Sequence, residues 1–224
     1  MEIQIENQKK NWVPNRLVIA GYTAKDQEAA RRHIEELKEL GIPAPPRIPM
    51  LYDLSPGLLT SESSIAVVNN DSSGEVEVVL LEVDGTWFIG LGSDHTDRVL
   101  EAVSIQKSKQ VCPKPISKDL WLLAEIEEHM GEIELRSWMT NNGEESLYQE
   151  GKLESFLSPN ELLKIVDERG YNSSGLALFC GTPPIVNGEF IFGEAFRAEL
   201  YDRKLERKIT LSYKTNFLKN AEEE

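Results

Sequence analysis

The stretch GEVEVVLLEVDGTWFIGLG, residues 74–92, constrains the fold of this chain more than any other. Two runs rich in aliphatic and aromatic residues, 75–83 and 86–92, flank the pair Asp84-Gly85. Such a pair favours the two-residue turn of a β-hairpin, because both central residues of that turn adopt a positive φ. The sequence therefore predicts two antiparallel strands that meet at Asp84 and Gly85.

Most other regular elements are also predicted to be strands. RLVIAG at 16–21 is typical of a short buried strand, and EIELRSWMT, NNG and ESLYQEG predict a second hairpin over 132–151. Further strand-like runs follow at 175–180, 188–193, 195–202 and 207–213. Strands that come in hairpins favour an antiparallel roll or sandwich over a parallel, doubly wound sheet. We therefore expect a β-rich α+β fold with few helices.

Two segments have the boundary residues of helices. Residues 23–41 begin at Thr23, a candidate N-cap, and end at a glycine. Residues 158–170 begin with Ser-Pro-Asn-Glu, which matches a capping box with proline at the first helical position. The proline-rich stretch 41–60 is predicted to be an irregular connector, and residues 119–130 fit either a helix or a strand.

Composition excludes several kinds of partner. The chain has 224 residues and a formal net charge of −14, whereas nucleic-acid phosphates select basic surfaces, so nucleic acid is not an expected partner. No apolar run is long enough to cross a membrane, and the start of the chain lacks the apolar segment of a secretory signal. Cys112 and Cys180 lie outside any CxxC motif and are expected to be buried thiols. A cytoplasmic location is the expectation from these features.

Acidic residues at the open end of the first hairpin are candidates for a functional site. Glu75 and Glu77 are two residues apart, so their side chains point to the same face of a strand. Because the hairpin brings its second strand back to the start of the first, Asp94 should lie beside them. Three carboxylates on a rigid support suit Mg²⁺, with Mn²⁺ or Ca²⁺ as alternatives. The competing interpretation is a strand with one acidic face in water and no metal.

Other candidates also have a functional and a plain interpretation. His33 and Glu36 are three residues apart on a predicted helix. They form either an exposed pair or a dyad whose imidazole takes a proton from water. Lys109, or its neighbour Lys107, is either a surface lysine in a loop or a cation that holds an anionic substrate. Thr182, in FCGTPP, either belongs to a plain turn or contacts a substrate carboxylate.

The order of these motifs resembles that of the fumarylacetoacetate hydrolase superfamily. The segments are AGYTAKDQEAARRHIEEL, GEVEV, SDHTDR, SKQVCP, YQEG and FCGTPP. Members typically carry, in this order, a His-x-x-Glu lid helix, an E-x-E strand, a D-x-[ST]-x-R segment, a lysine-serine segment before a proline, a Q-x-G-like hairpin and a T-G-T-P turn. The resemblance extends over about residues 16–213 and is also to an uncharacterised branch, a domain of unknown function. Val99 stands where members usually carry an aspartate.

The resemblance implies a fold, a cofactor and a chemistry. The fold would be a mixed β-sandwich roll with a few peripheral helices, one domain over 1–224 that pairs as a homodimer, with 23–50 as a lid helix and connector. The implied reaction is hydrolysis of a C–C bond in a small anionic 1,3-dicarbonyl or 2-oxo acid with Mg²⁺. The implied roles are metal binding by Glu75, Glu77 and Asp94, catalysis by His33, Glu36 and Lys109, and substrate binding by Arg98 and Thr182. A decarboxylase or tautomerase on the same site, or a non-catalytic protein that binds a metabolite or a partner, are the alternatives.

Overall fold

The structure is a computed structural model that describes residues 1–6, 8–28, 30–32, 34 and 45–219. Its strands are β1 (Glu2–Ile5), β2 (Gln8–Asn11), β3 (Arg16–Gly21), β4 (Met50–Leu54), β5 (Leu59–Thr60), β6 (Ser64–Val68), β7 (Ser72–Ser73), β8 (Val76–Val83), β9 (Thr86–Ser93), β10 (Thr96–Asp97), β11 (Lys114–Pro115), β12 (Asp119–Leu122), β13 (Glu134–Asn141), β14 (Glu144–Lys152), β15 (Leu176–Phe179), β16 (Ala195–Asp202) and β17 (Arg207–Leu218). Its helices are α1 (Arg98–Glu101), α2 (Ile105–Gln110), α3 (Leu123–Ile126) and α4 (Pro159–Glu168), with 3₁₀ turns at Pro56–Leu58, Glu127–Glu132 and Leu153–Ser155. Positions 27, 28, 30–32 and 34 are helical as well.

Strands β8 and β9 form the hairpin that the Asp-Gly pair predicts. They are antiparallel, with Val76 opposite Ser93 at the open end. Asp84 and Gly85 turn the chain with φ values of 50° and 82°, as a two-residue hairpin turn requires. Every residue of β8 is buried, so other parts of the protein cover both faces of this strand. The interpretation of an acidic face in water is therefore wrong for β8.

Two larger sheets pack face to face. The strand order is β2-β1-β12-β9-β8-β15-β3-β4 in the larger sheet and β14-β13-β16-β17-β6 in the smaller one. Both sheets are mixed, because β1 with β12, β15 with β3 and β17 with β6 are parallel pairs among antiparallel ones. Leu80 and Leu178 of the larger sheet share one hydrophobic cluster with Leu135 and Leu200 of the smaller sheet. A second cluster covers the opposite face of the larger sheet, so the predicted mixed β-sandwich is confirmed.

Further local predictions are confirmed. The second hairpin joins β13 to β14 through Asn142 and Gly143, which adopt φ values of 53° and 78°. Helix α4 begins with a capping box, in which Ser158 and Glu161 each accept a hydrogen bond from the backbone N–H of the other. Strands β3, β15 and β16 lie in the predicted runs, and β17 begins where predicted but continues beyond residue 213 to Leu218.

The first predicted helix starts later than its sequence suggests. Thr23 is not an N-cap, because its carbonyl accepts a hydrogen bond from the Leu157 N–H at 2.8 Å. Ala24 then pairs with Phe156, so the chain stays extended there and the helical positions begin at Gln27. The tertiary pairing thus overrides the local capping signal.

Three other predictions are corrected or resolved. The proline-rich stretch is not wholly irregular, because Met50–Leu54 contains no proline and pairs with β3 as strand β4. Residues 188–193 are not a strand; instead Phe190 lies against the guanidinium of Arg98, with 4.2 Å to the ring centroid. Residues 119–130 contain both alternatives, since strand β12 leads directly into α3 and a 3₁₀ turn.

The described residues do not test two of the predictions. Most of the helix predicted over 23–41 lies outside the described residues, so the lid over 23–50 stays a prediction, as does the single domain over 1–224. Among the described residues, no helix combines the length and apolar character that a membrane crossing requires.

Candidate functional site

A cavity of about 430 Å³ opens at the start of β8, at the end of the hairpin away from its turn. Segments far apart in the sequence meet here because β8 is a central strand, with β9 on one side and β15 on the other. The polar and aromatic residues that line the cavity include Tyr22, Thr23, Tyr52, Glu75, Glu77, Glu101, Lys109, Phe156 and Thr182. The acidic pair of the first hairpin therefore faces an accessible chamber.

Glu75, Glu77 and Asp94 are neighbours at this end of the hairpin. The strand register sets Glu75 beside Asp94, and the Asp94 N–H donates to the Glu75 carbonyl at 2.9 Å. Glu77 is 3% exposed and Asp94 is fully buried, whereas the Glu75 side chain is 16% exposed. The geometry thus brings together the three carboxylates that the sequence singles out.

Lys109 is the cation of this cluster that is found on the described lining of the cavity. It lies on helix α2 and not in a loop, and it is 6% exposed. Its ammonium forms a short ion pair with Asp94 Oδ2 and lies 4.0 Å from Glu75 Oε2. Lys107 is exposed on the same helix, so Lys109 is the lysine that faces the carboxylates.

The surroundings of Glu77 and Asp94 shift the pKa values of these two carboxyl groups in opposite directions. Burial and the Asp94 carboxylate raise the pKa of Glu77 well above its usual value, although Lys109 and the Gly181 N–H oppose this. Burial would also raise the pKa of Asp94, but Lys109 and Lys114 hold it below its usual value. Glu77 is therefore costly to ionise beside an aspartate that is held as an anion. An additional positive charge near Glu77 would remove this cost.

Arg98 lies behind Glu75. Its guanidinium is 3.4 Å from Glu75 Oε2 and 2.9 Å from Glu101 Oε2, and its side chain is only 5% exposed. Burial would lower the pKa of Arg98, but Glu75 and Glu101 keep it above its usual value. Because Arg98 is absent from the described lining of the cavity, its contacts fit a group that fixes Glu75, and its predicted substrate-binding role stays a prediction.

Thr182 lies on the cavity lining, in the turn that follows β15. Gln149 Nε2 donates to Thr182 Oγ1 at 2.6 Å and to the Pro183 carbonyl at 2.9 Å, and its Oε1 accepts from the Val76 N–H at 2.9 Å. Gln149 therefore ties the turn to the start of β8. Thr182 Oγ1 accepts the hydrogen bond from Gln149, so the Thr182 O–H can donate to a ligand. Within the protein, this O–H has one long contact, 3.5 Å to the Pro183 carbonyl.

The glycine before Thr182 has a backbone role at the site. The Gly181 N–H donates to Glu77 Oε2 at 2.7 Å. Its φ is +105°, and a Cβ there would lie 1.9 Å from Thr23 Oγ1. Only glycine allows this close approach of the turn to the 22–24 segment, so Gly181 is needed to bring its N–H to Glu77.

The donor set suits a hard divalent cation. In the described residues, no group of three or more acidic, histidine or cysteine side chains is arranged as a complete metal site. Lys109 contacts both Glu75 and Asp94, Arg98 contacts Glu75, and Lys114 contacts Asp94. The three side chains nevertheless offer carboxylate oxygens, which are the ligands that Mg²⁺, Mn²⁺ and Ca²⁺ prefer. Burial, and then the neighbouring Asp94 carboxylate, raise the pKa of Glu77 well above its usual value even though Lys109 lowers it. The donor atoms are therefore of the kind that a divalent ion takes, although the described side chains do not form a complete metal site.

The remaining candidates differ in what the sequence revealed. His33 and Glu36 lie outside the described residues, so the proposed dyad stays a prediction. Sequence reasoning missed Glu101, Gln149 and Lys114, which contact the site residues. Local signals existed for two of them, because Glu101 is three residues from Arg98 on helix α1 and Gln149 belongs to the YQEG segment. The contact of Lys114 with Asp94 arises from the packing of their two segments.

The sequence matches one known protein family. The family described as "Protein of unknown function (DUF2848)" matches residues 20–213. The chain belongs to this family. None of the curated proteins matches the sequence.

Solved structures share the fold of this DUF2848 protein. Cg1458 has a TM-score of 0.67 at 16% identity, covering 92% of this chain and 78% of its own. A candidate fumarylacetoacetate isomerase/hydrolase from Oleispira antarctica has a TM-score of 0.65 at 18% identity, covering 96% and 100%. The 2-keto-3-deoxy-D-arabinonate dehydratase complexed with magnesium and 2,5-dioxopentanoate has a TM-score of 0.67 at 14% identity, covering 92% and 74%. The predicted fumarylacetoacetate hydrolase fold is confirmed.

Proposed function

We propose that this DUF2848 protein is a Mg²⁺-dependent hydrolase that cleaves a C–C bond in a small 1,3-dicarbonyl or 2-oxo acid. The observation that carries the proposal is that Glu75, Glu77 and Lys109 line one cavity, with the buried Asp94 carboxylate beside them. A protein of the same fold is complexed with magnesium and a dioxo acid, which supports this class of ligand. We also expect the homodimer that the superfamily resemblance implies.

Glu75, Glu77 and Asp94 would hold the ion. When bound, a divalent cation supplies Lewis-acid polarisation of the substrate oxygens. Its charge would also lower the cost of ionising Glu77, which burial and Asp94 make high in the protein alone. Arg98 would keep Glu75 in place through their 3.4 Å contact.

Two side chains on the cavity lining would bind the organic part of an anionic substrate. The Lys109 ammonium would stabilise negative charge that develops on a substrate oxygen. The Thr182 O–H would donate to the substrate carboxylate, because Gln149 already occupies an acceptor position of that hydroxyl. The cavity, about 430 Å³, is near the lower end of the roughly 300–1,000 Å³ range of ligand pockets, which suits a small acid.

His33 would take a proton from water, and Glu36 would orient its ring. The water oxygen then bonds to the carbonyl carbon that is cleaved off, which leaves as a carboxylic acid. The electron pair of the broken C–C bond stays on the other fragment, and that carbon takes up a proton.

A second candidate is an elimination or decarboxylation of a 2-oxo acid at the same carboxylates, or a tautomerisation. The specific observation in its favour is that solved neighbours of this fold include a dehydratase. Decarboxylation needs neither an attacking water nor a base to activate it, so it would proceed without the His33–Glu36 dyad. Elimination and tautomerisation still need a group that moves a proton. A non-catalytic protein that binds a metabolite or a partner is the remaining alternative.

A substrate panel tests these alternatives. The protein is incubated with acylpyruvates and oxaloacetate, with Mg²⁺ or with a chelator, and the products are measured. The proposal expects pyruvate and a carboxylic acid from an acylpyruvate, only with Mg²⁺. Release of CO₂ from oxaloacetate alone would favour the decarboxylase, and metal binding without any turnover would favour the binding protein.

A further inference from the structure

Lys114 is a fully buried lysine to which the proposed reaction assigns no role. It begins the short strand β11, a few residues after helix α2. Its Nζ donates to the carbonyls of His95 at 2.6 Å, of Cys112 at 2.9 Å and of Lys109. The same Nζ lies 3.5 Å from Asp94 Oδ1. Three backbone oxygens and one carboxylate oxygen therefore surround it.

The number of contacts matches the chemistry of an ammonium group. An ammonium has three N–H donors and no acceptor, so the three carbonyls use all of them. A neutral amine would point its lone pair at one of these oxygens. Burial lowers the pKa of Lys114, and the Asp94 carboxylate, which also pairs with Lys109, opposes this.

The carbonyl cage around Lys114 is formed by residues next to or within the carboxylate cluster, namely Lys109, Cys112 and His95. Lys114 faces Asp94 Oδ1, and Lys109 faces Asp94 Oδ2, so the two lysines hold both oxygens of one carboxylate. One carbonyl of the cage belongs to Lys109 itself. Another belongs to His95, whose ring is held at 2.9 Å by both Ser72 and Tyr213. A group at the centre of the cage therefore contacts both the Asp94 carboxylate and the backbone of Lys109.

We propose that the Lys114 ammonium is a built-in monovalent cation, which fills a cage of three carbonyls and the Asp94 carboxylate and thereby positions Asp94 and Lys109. Lys114 is a positioning residue in this view. Backbone carbonyls can replace the hydration shell of K⁺, so a cage of this kind should accept a free monovalent cation once the side chain is removed. The positioning role rests on the proposed metal site, whereas the cage does not.

The test compares Lys114→Ala with the parent protein in choline chloride, potassium chloride and ammonium chloride of equal ionic strength. Thermal unfolding and Mg²⁺ affinity by calorimetry are measured in each salt. In choline chloride we expect the variant to unfold at a lower temperature and to bind Mg²⁺ about 10- to 100-fold more weakly, as for lost outer-shell partners of a metal site. Ammonium or K⁺ should restore most of both quantities. Lys107→Ala is the matched control, because it removes the same charge from an exposed position and should respond like the parent.

A second variant separates the cage from a general salt effect. Lys114→Met keeps most of the side-chain volume but no charge or donor, so we expect weaker Mg²⁺ binding that ammonium does not restore. Parent-like Mg²⁺ affinity in this variant would overturn the positioning role, even where the alanine variant fails to fold. Loss in Lys114→Ala that neither ammonium nor K⁺ restores, or equal restoration in Lys114→Met, would overturn the cage. If the parent binds no Mg²⁺, the proposed function fails, while thermal unfolding still tests the cage.

Discussion

The two ends of β8 each bury a glutamate, and they surround it with different partners. At the turn end, Glu82 is 9% exposed. One of its carboxylate oxygens accepts a hydrogen bond from the Gly85 N–H and the other from the Gly175 N–H. Both oxygens are thus bonded to the backbone of loops that Glu82 holds together. This glutamate has a structural role.

At the other end, Glu77 is more deeply buried, and its carboxylate receives fewer backbone hydrogen bonds than that of Glu82. It accepts the Gly181 N–H through one oxygen and lies near the carboxylates of Asp94 and Glu75, at the edge of a cavity. Burial costs free energy for both glutamates, and at Glu77 the carboxylates of Asp94 and Glu75 add to that cost. A buried carboxylate therefore indicates a functional site only when its oxygens lack hydrogen-bond donors and it lies at a cavity.

The largest effect is expected in the rate of catalysis, when the general base proposed to act at the cavity end of β8 is removed. His33→Ala should reduce turnover of the substrate about 100- to 10,000-fold, the usual contribution of a general base, while Mg²⁺ affinity stays unchanged. Steady-state kinetics and calorimetry measure the two quantities. Arg32→Ala, at an exposed neighbouring position, is the control and should keep the parent rate.

The partner of His33 should show a smaller and dependent effect. Glu36→Gln should lose less activity than His33→Ala, because the imidazole remains but is less well oriented. The double variant should be little worse than His33→Ala alone, since residues that act as one unit are not additive. Parent-like rates in both single variants would end the hydrolytic mechanism and leave decarboxylation or plain binding.

The next effect concerns the metal at the Glu77 end. Glu77→Gln keeps the side-chain shape but removes one charged ligand, so Mg²⁺ affinity should fall by more than the ~10- to 100-fold typical of losing an outer-shell partner. Calorimetry with Mg²⁺ measures it. Glu62→Gln makes the same charge change at an exposed position and should bind as the parent does. Identical affinities in Glu77→Gln and the parent would show that the three carboxylates are not the ligands.

A smaller effect is expected at the turn end, in stability alone. Glu82→Gln offers only one acceptor oxygen to two backbone N–H donors, so about 1–3 kcal/mol of unfolding free energy should be lost. Denaturant unfolding measures the loss, and Mg²⁺ affinity should not change. A clear drop in Mg²⁺ affinity would break the distinction between the two ends of β8.

The smallest effect is expected in backbone dynamics. If residues 23–50 act as a lid, Mg²⁺ and oxalate added together should slow amide hydrogen exchange in this segment. Amides around the Gly85 turn serve as the internal reference and should exchange as before. Equal exchange of 23–50 with and without these ligands would count against a mobile lid, though not against the metal site.

Local chemistry explains why much of this fold was predictable. The Asp84-Gly85 turn and the capping box at Ser158 depend on residues within a few positions of one another, and both have the predicted geometry. The predictions failed where distant segments intervened. The pairing of Ala24 with Phe156 delays the first helix, and the pairing of β4 with β3 makes a strand within the proline-rich stretch.

The sequence by itself determined the hairpin turns, the well-capped helix, the superfamily resemblance and the nearness of Glu75 to Asp94. The last follows from one hairpin register and needs no other part of the chain. Only the tertiary structure decided that Lys109 rather than Lys107 meets these carboxylates, and that Lys114 lies in a cage behind them. Hydrogen bonds and ion pairs act over a few ångströms through space, so their partners are chosen by how sheets and helices pack and leave no local pattern in the sequence.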